Sequence, residues 1–113
     1  MKSVKAIIQA HMLGRVLSAL HELPHFPGLT IFDVKGQGRG RGQNRAYSAT
    51  EGDIFFSDHK QIEVICADIQ ASVIAETIYQ SAHTGRSGDG IIWIADVAEI
   101  VRIRSGERGE PAV

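Results

Sequence analysis

The sequence predicts an α+β fold, and three features of the chain lead to it. Segments with strand character occur four times, and two amphipathic helical segments lie between them. The order is strand, helix, strand, long loop, strand, helix, strand, which makes two similar halves, 4–34 and 62–94. Two such halves predict a ferredoxin-like βαββαβ sandwich, in which both helices cover one face of an antiparallel sheet.

The first half begins with the apolar run Val4–Ile8, which is typical of a buried strand. Apolar residues then recur at helical spacing, and Pro24 and the pair Pro27-Gly28 end that helix. The helical positions are Met12, Leu13, Val16, Leu17, Leu20 and Leu23. The segment Leu29–Val34, rich in β-formers, follows as the second strand.

The second half begins with Gln61–Cys66, which alternates polar and apolar residues as a half-buried strand does. A helix that ends near 83–85 is predicted next, from Ile69, Val73, Ile74 and Ile78. A turn at 88–90 leads into the apolar strand Ile91–Ile94. The segment 99–104 is predicted to add a short fifth strand.

Two helices on one face of a sheet leave the other face bare. The apolar run Ile91–Ile94 favours a cover for that face, and a second copy of the chain is the simplest one. The sequence therefore predicts a homo-oligomer.

Length and composition place further bounds on the protein. We expect a single domain, 1–113, because 113 residues with 43% hydrophobic content suit one modest core. The formal net charge is -1, which argues against a nucleic-acid partner. The lone Cys66 excludes an intrachain disulfide framework. The N-terminal apolar run is too short to insert into a membrane, so we expect a soluble, intracellular protein.

The stretch KGQGRGRGQNRAYSATEGDIFFSDHK, residues 35–60, shows neither helical nor strand periodicity before Ile54. A loop of this length in a compact domain is usually disordered or functional. A single arginine-glycine segment followed by acidic residues argues against RNA binding. A dinucleotide fingerprint is also excluded, because no helix follows the glycines.

The stretch TGRSGDG, residues 84–90, lies between a helix and a strand. Its glycines expose backbone N–H groups, which bind anions when they converge in a turn, and Arg86 adds a positive charge. A plain turn remains the alternative. The pattern is not a Walker A loop, because no Gly-Lys-Ser/Thr opens a following helix.

Two arginines near the C-terminus, Arg102 and Arg104, are two residues apart. In an extended segment both side chains would point to one face, where guanidinium groups clamp phosphate oxygens. The alternative is a solvated tail in which Glu107 and Glu110 neutralise the arginines.

No catalytic or metal-binding constellation emerges from the residue pattern. The serines lack a nucleophile-elbow motif. His21 and His25 are four residues apart, but Pro24 breaks the helix that would align them. We therefore predict neither catalytic residues nor a metal site.

Four segments together resemble the P-II family of nitrogen-regulatory signal-transduction proteins, and the resemblance covers essentially the whole chain. They are VKAII, DVKGQGRG, TGRSGDG and VRIRSGERGEPAV. The resemblance implies a homotrimer with ATP or ADP, and AMP as a further candidate, in three clefts between subunits. It identifies 36–60 with the mobile T-loop that docks onto target proteins, 84–90 with the B-loop, and 101–113 with the C-terminal segment.

The resemblance also implies site residues. The nucleotide-binding positions are Thr30, Gly38, Arg39, Ile65, Gly88, Asp89, Gly90, Ile91, Arg102 and Arg104. The two arginines are expected to reach the phosphates from the adjoining subunit. The partner-binding positions are Arg41, Arg45, Tyr47 and Glu51.

The chain departs from the family pattern at several positions. Gly52 stands where the family has its uridylylated tyrosine, so no hydroxyl is available there. Gly40 replaces the glutamine that helps chelate Mg²⁺ and 2-oxoglutarate, and Ile91 and His59 replace two lysines. These changes leave the use of Mg²⁺ open and argue against 2-oxoglutarate as an effector.

The sequence thus predicts a divergent P-II-like regulator whose nucleotide state sets the conformation of loop 36–60. The loop would control a partner protein, with a membrane transporter as the candidate that recruits this cytoplasmic protein to a membrane. Two alternatives stay open: a slow ATPase or phosphotransferase, and a metal-responsive adaptor that uses His59.

Overall fold

The structure is a computed structural model, and it describes residues 1–37 and 56–113. These residues form strands β1 (Lys2–Gln9), β2 (Thr30–Gly36), β3 (Ser57–Cys66) and β4 (Gly90–Asp96), and helices α1 (Leu13–His21) and α2 (Asp68–Ala82). Single turns of 3-10 helix cover Ala10–Met12 and Glu110–Ala112. The element order matches the sequence prediction.

The strands form one antiparallel sheet in the order β2-β3-β1-β4. The two edge strands follow α1 and α2, so each helix crosses the sheet to reach an edge. This is the ferredoxin-like arrangement, and the predicted α+β fold class is confirmed.

The core lies between the helices and one face of the sheet. Every second residue is buried there from Val4 to Ile8 in β1 and from Ile62 to Cys66 in β3, as the strand period of two requires. The strand side consists of Val4, Ala6, Ile8, Ile62, Val64 and Cys66, and the helix side of Val16, Leu20, Ala71, Ile74 and Ile78. Two predicted helical positions, Ile69 and Val73, lie instead on the exposed side of α2.

The strands beside the glycine-rich loop are longer than predicted. β2 reaches Gly36 and β3 begins at Ser57, so the connection is shorter than 36–60. Ion pairs join the two strands on the face that also carries the core, Asp33 with Lys60 and Lys35 with Asp58. Opposite charges in direct register stabilise a ladder, although such residues have low strand propensity when read singly.

The predicted fifth strand at 99–104 is wrong. Among the described residues, this segment makes a single bridge, between Val101 and Arg108. The Arg102 N–H donates to the Glu107 carbonyl at 2.9 Å, and the Gly106 N–H donates to the Arg102 carbonyl at 2.7 Å. The segment is a tight turn because these bonds close it on itself, so Arg102 and Arg104 do not share the face of an extended strand.

The bare face of the sheet receives only half of the apolar run Ile91–Ile94. Ile91 and Trp93 pair with Ile7 and Lys5 on that face, and Ile91 is 61% exposed. The alternate residue Ile92 packs against the core on the helix side. The cover by a second copy of the chain stays a prediction.

Candidate functional site

Part of the predicted site lies at one end of the sheet, where all four strands have an end. β2 ends there at Gly36, where β3 begins, and β1 ends at Gln9 next to the start of β4 at Gly90. We call this the loop end of the sheet. The glycine-rich loop and the turn 84–90 both leave the sheet at this end.

A carboxylate organises the turn 84–90 from within. The Thr84 and Gly85 backbone N–H groups donate to Asp89 Oδ2 at 2.8 and 2.9 Å. The Thr84 hydroxyl donates to the other carboxylate oxygen of Asp89. The Arg86 N–H donates to Thr84 Oγ1 at 3.2 Å, so the first half of the turn is fully tied to these two side chains.

The second half of the turn rests on the end of β1. Gly90 has φ +110°, and a Cβ there would lie 1.8 Å from the Ile7 carbonyl oxygen. Gly88 has φ +92°, and its Cβ would lie 3.3 Å from Gln9 Nε2. Only glycine combines such a backbone angle with so close an approach, so Gly90 fixes the distance between turn and sheet.

The environment of Asp89 favours its charged form. Desolvation alone would raise the pKa of this carboxyl, whose side chain is 23% exposed. Hydrogen bonds from Thr84 and Gly85, together with His83 at 3.7 Å, outweigh that effect and hold the pKa below its ordinary value of 3.8. His83 also lies against the Tyr79 ring, with ring centroids 5.2 Å apart.

The contacts at the loop end continue from the turn to the two strand ends that flank the glycine-rich loop, which we call the arms of the loop. Gln9, next to Gly88, pairs with His59. The His59 Nδ1 atom lies 3.0 Å from the Ser57 carbonyl oxygen and 3.7 Å from the position of a Cβ on Gly36. A cavity of about 480 Å³ lies here, lined by Ala10, Asp33, Val34, Lys35, Asp58, His59 and Lys60. Its lysines are paired with its aspartates, so the cavity has no strong preference for an anion.

Two predicted nucleotide-binding residues, Thr30 and Ile65, lie far from the turn 84–90. Ile65 is in register with Ser3, whereas Gly90 is in register with Ile8, which places them about 17 Å apart along the strands. Thr30 starts β2, on the opposite edge of the sheet from β4. A single copy of the chain does not bring these residues to the turn.

The C-terminal segment that carries the predicted arginine pair leaves the sheet at the end opposite the loop end. β4 ends at Asp96, and the Val97 N–H donates to the Met1 carbonyl at 3.0 Å, which fixes where the C-terminal segment starts. No carboxylate of the described residues lies within 4.0 Å of the guanidinium groups of Arg102 or Arg104, whereas Arg108 pairs with Glu99. Glu107 and Glu110, the neutralising partners of the alternative that the sequence left open, thus form no ion pair with these two arginines.

Several predicted positions lie outside the described residues. They are Gly38, Arg39, Gly40, Arg41, Arg45, Tyr47, Glu51 and Gly52. Elsewhere in the chain, within 1–37 and 56–113, no group of three or more His, Cys, Asp or Glu side chains is placed to hold a metal ion. None of the helices in these two ranges has the length and apolar character needed to cross a membrane.

The sequence prediction missed the pairing between Thr84 and Asp89, and the part played by Gln9. The signal for the first was available, because Thr and Asp flank a glycine-containing turn at a spacing that lets the carboxylate reach back to the amides. Nothing in the local sequence could indicate Gln9, since it reaches the turn only through the pairing of β1 with β4.

Comparison with known proteins decides the family. The family model described as nitrogen regulatory protein P-II matches residues 1–107. The chain belongs to the P-II family. Similar P-II proteins include one from Azospirillum brasilense, 42% identical over the whole of both chains, and P-II 1 from Escherichia coli K12, 37% identical over the same extent. A crystal structure of Arabidopsis thaliana PII bound to citrate superimposes with a TM-score of 0.78 at 30% identity, over 99% of this chain and 91% of that one.

Membership in the P-II family confirms the resemblance seen in the sequence motifs. Proteins of this family act as signal-transduction regulators, and the prediction of a regulator rather than an enzyme is confirmed at that level. The likeness to Arabidopsis thaliana PII also supports the ferredoxin-like fold.

Proposed function

We propose that this P-II protein binds ADP or ATP in clefts between copies of the chain, and that the bound nucleotide sets the conformation of loop 36–60. The supporting observation is the contact sequence at the loop end of the sheet. Gly88 lies against Gln9, Gln9 pairs with His59, and His59 lies against Gly36. A phosphate group at the turn 84–90 therefore acts at the base of both arms of the loop.

The nucleotide site of this proposal needs two copies of the chain. Gly88, Asp89, Gly90 and Ile91 belong to the loop end, whereas Thr30 and Ile65 lie away from it. The segment that carries Arg102 and Arg104 leaves the sheet at the end opposite the loop end. A site formed from opposite ends of neighbouring copies is a head-to-tail contact, and such contacts form a ring when the rotation between copies closes. A trimer is the ring that we propose, with one nucleotide in each of its three clefts.

The output of the regulator is a choice between loop conformations. A nucleotide that contacts only some conformers shifts the population towards them. In this proposal Arg39 contacts the nucleotide, and Arg41, Arg45, Tyr47 and Glu51 contact a target protein, with a membrane transporter as the candidate target.

The test of nucleotide binding is calorimetry with ADP on the wild type and on a variant carrying Arg102→Ala and Arg104→Ala. Loss of charge-assisted bonds to phosphate costs about 1.5–3 kcal/mol, which corresponds to a roughly tenfold to hundredfold weaker affinity. Arg108→Ala is the matched control, because this arginine lies in the same turn but pairs with Glu99.

Equal ADP affinity in the folded double variant and the wild type would contradict the assignment of Arg102 and Arg104. Light scattering tests the ring, since a trimer has three times the 12.3 kDa mass of the chain. Steady-state release of phosphate from ATP tests the alternative that the protein is an enzyme. Hydrolysis of all the ATP that the protein binds would favour that alternative.

We also propose that nucleotide binding proceeds without synergy from 2-oxoglutarate. In relatives this effector is held through Mg²⁺, and Gly40 offers no side-chain oxygen as a ligand. Ile91 further supplies an exposed aliphatic side chain in place of a cation. Saturable heat at micromolar 2-oxoglutarate, measured on protein saturated with Mg·ATP, would refute the proposal.

A uridylyl group has no acceptor at the usual position in loop 36–60, because residue 52 is glycine. We expect mass spectrometry to find no adduct on residues 51–53 after incubation with a uridylyltransferase and UTP. An adduct on Tyr47 would instead mean that the modification had moved.

A further inference from the structure

The turn 84–90 already contains an anion of its own. The Asp89 carboxylate accepts the Thr84 N–H, the Gly85 N–H and the Thr84 hydroxyl. These are the donors that a phosphate entering the first half of the turn would need. Since the pKa of Asp89 lies below its ordinary value, this carboxylate stays charged throughout the neutral range.

The second half of the turn has backbone N–H groups that the turn itself does not use as hydrogen-bond donors. The Arg86 N–H is taken by Thr84 Oγ1, but within the described residues no group accepts the backbone N–H of Ser87 or Gly88. Both residues are exposed, as is Gly90 behind them. The turn is thus divided into a half that is closed by Asp89 and a half whose donors face solvent.

We propose that Asp89 is a positioning residue, which closes the first half of the turn 84–90 and so directs a nucleotide phosphate to the N–H groups of Ser87 and Gly88. This inference rests on the proposed nucleotide binding and deepens it. In this role the Asp89 side chain acts on the turn, and any contact of this residue with the nucleotide is made by its backbone.

The geometry explains why the turn needs this brace. Gly88 and Gly90 both have positive φ, and the chain at Gly90 is fixed against the Ile7 carbonyl. The opposite end of the turn is fixed by the last residues of α2, which ends at Ala82. Between those fixed points, the hydrogen bonds of Asp89 to Thr84 and Gly85 are what hold the donors of Ser87 and Gly88 in one orientation.

A simple electrostatic role for Asp89 predicts the opposite result from a positioning role. A carboxylate near bound phosphate repels it, so removal of the charge alone would tighten binding. Loss of the brace lets the turn adopt other conformations, so the phosphate would bind to donors that are no longer preorganised, and binding would weaken. The sign of the effect separates the two roles.

The test measures the affinities of adenosine, AMP, ADP and ATP by calorimetry for the wild type and for Asp89→Asn. We expect ADP and ATP to bind about tenfold more weakly to the variant, with adenosine changed less than about twofold. A merely structural loss would weaken all four ligands alike, because it would act on the whole cleft.

The matched control for charge is Glu76→Gln, which removes the same unit charge from the exposed side of α2. We expect this variant to bind all four ligands as the wild type does. Thr84→Val and Thr84→Ser test the brace from its other side. The first removes the hydroxyl that joins Asp89 to Arg86 N–H and is expected to weaken ADP about threefold, whereas the second keeps the hydroxyl and restores binding.

Nuclear magnetic resonance adds a readout at the donors themselves. On addition of ADP, we expect the amide resonances of Ser87 and Gly88 to shift most within the turn. The Thr84 and Gly85 amides are expected to remain protected from hydrogen exchange with and without ADP, because Asp89 holds them in both states.

The outcomes separate this inference from the proposed function. If the wild type binds no adenine nucleotide, the proposed function fails and the inference fails with it. If the wild type binds ADP but Asp89→Asn binds it equally or more tightly, or loses adenosine to the same extent, Asp89 is not a positioning residue while the proposed function stands. If Asp89→Asn does not fold, the Thr84 pair decides, and equal ADP affinity in Thr84→Val and Thr84→Ser overturns the inference.

Discussion

The two helix-to-strand connections of this protein occupy equivalent places in its two halves, yet they are built differently. The first, 22–29, leads from α1 to β2, and the second, 83–89, leads from α2 to β4. Both must reverse the chain direction through positive φ. The first does so at His25, with φ 57°, and at Gly28, whereas the second uses Gly85 and Gly88.

The two connections also differ in what holds them. The first is held from outside by Gln70 of α2, whose amide donates to the His25 carbonyl at 3.1 Å and accepts the Ala67 N–H at 3.3 Å. The second is held from inside by Asp89. An external brace occupies the outer side of a turn, whereas an internal one leaves that side open, and this difference supports the proposal of a phosphate site at the second connection.

The largest effect is expected at the contact between the second connection and the sheet. Gly90→Ala should lower the free energy of unfolding by at least about 2 kcal/mol, because its Cβ would overlap the Ile7 carbonyl. Gly14→Ala is the matched control, since this helical glycine has open space around it and should gain about 0.5–1 kcal/mol. Urea denaturation measures both, and equal effects of the two substitutions would show that the close approach at Gly90 is not a constraint.

A smaller effect is expected at the external brace. Gln70→Ala should lower the free energy of unfolding by about 1 kcal/mol, because it removes the bond from α2 to the His25 carbonyl and the bond that caps α2 at the Ala67 N–H. Gln80→Ala makes the same change in the same helix but removes only a surface bond to Glu76, so it should cost less than about 0.5 kcal/mol. If the two alanine variants have the same urea midpoint, Gln70 does not brace the turn.

Relief of backbone strain at the first connection should give a gain of similar or lesser size. His25→Gly should raise the free energy of unfolding by up to about 1 kcal/mol, because glycine adopts φ 57° without penalty. His25→Val should lower it, since a β-branched residue tolerates this angle least. Thermal unfolding of the two variants checks the prediction, and a valine variant as stable as the glycine variant would contradict it.

The smallest effect concerns acid. Because the pKa of Asp89 is lower in the folded than in the unfolded chain, its contribution to stability is fully present above the ordinary pKa of 3.8 and disappears as pH falls through the lower folded value. Asp89→Asn should therefore lose less stability than the wild type between about pH 4 and pH 2.

Added salt distinguishes hydrogen bonding from long-range charge as the cause of this acid sensitivity. The bonds of Asp89 to backbone N–H groups should persist in about 1 M NaCl, where the exposed pair between Lys2 and Asp96 is screened. If the difference between wild type and Asp89→Asn vanishes at that salt concentration, long-range charge and not hydrogen bonding stabilises the turn.

Much of the fold was accessible from the sequence. The apolar run Val4–Ile8, the period of two in Gln61–Cys66 and the helical spacing of Val16 and Leu20 predicted the right elements, because burial leaves its pattern in the local sequence. The segment 99–104 misled because Val101, Ile103 and the arginines have strand-like alternation. The backbone hydrogen bonds that Arg102 makes with Glu107 and with Gly106 form a turn there instead of a strand.

The candidate site was accessible in its parts but not in its assembly. The glycines and Arg86 of the turn 84–90 and the two C-terminal arginines stand out as candidate anion-binding residues when each segment is considered alone. The turn lies at the loop end of the sheet, whereas β4 ends and the arginine-bearing segment begins at the other end, and this separation is the reason for proposing a cleft between two copies.

The sequence by itself determined the order of the elements, the family, and the residue types that can bind a phosphate, because backbone preference and hydrophobic period act over a few residues. Tertiary structure alone decided which of those residues meet. Gly90 must be glycine because β4 brings it against Ile7, and Gln9 touches Gly88 because β1 ends where β4 begins. Such contacts join residues about eighty positions apart, and no local pattern can encode a contact whose partner is chosen by the pairing of strands.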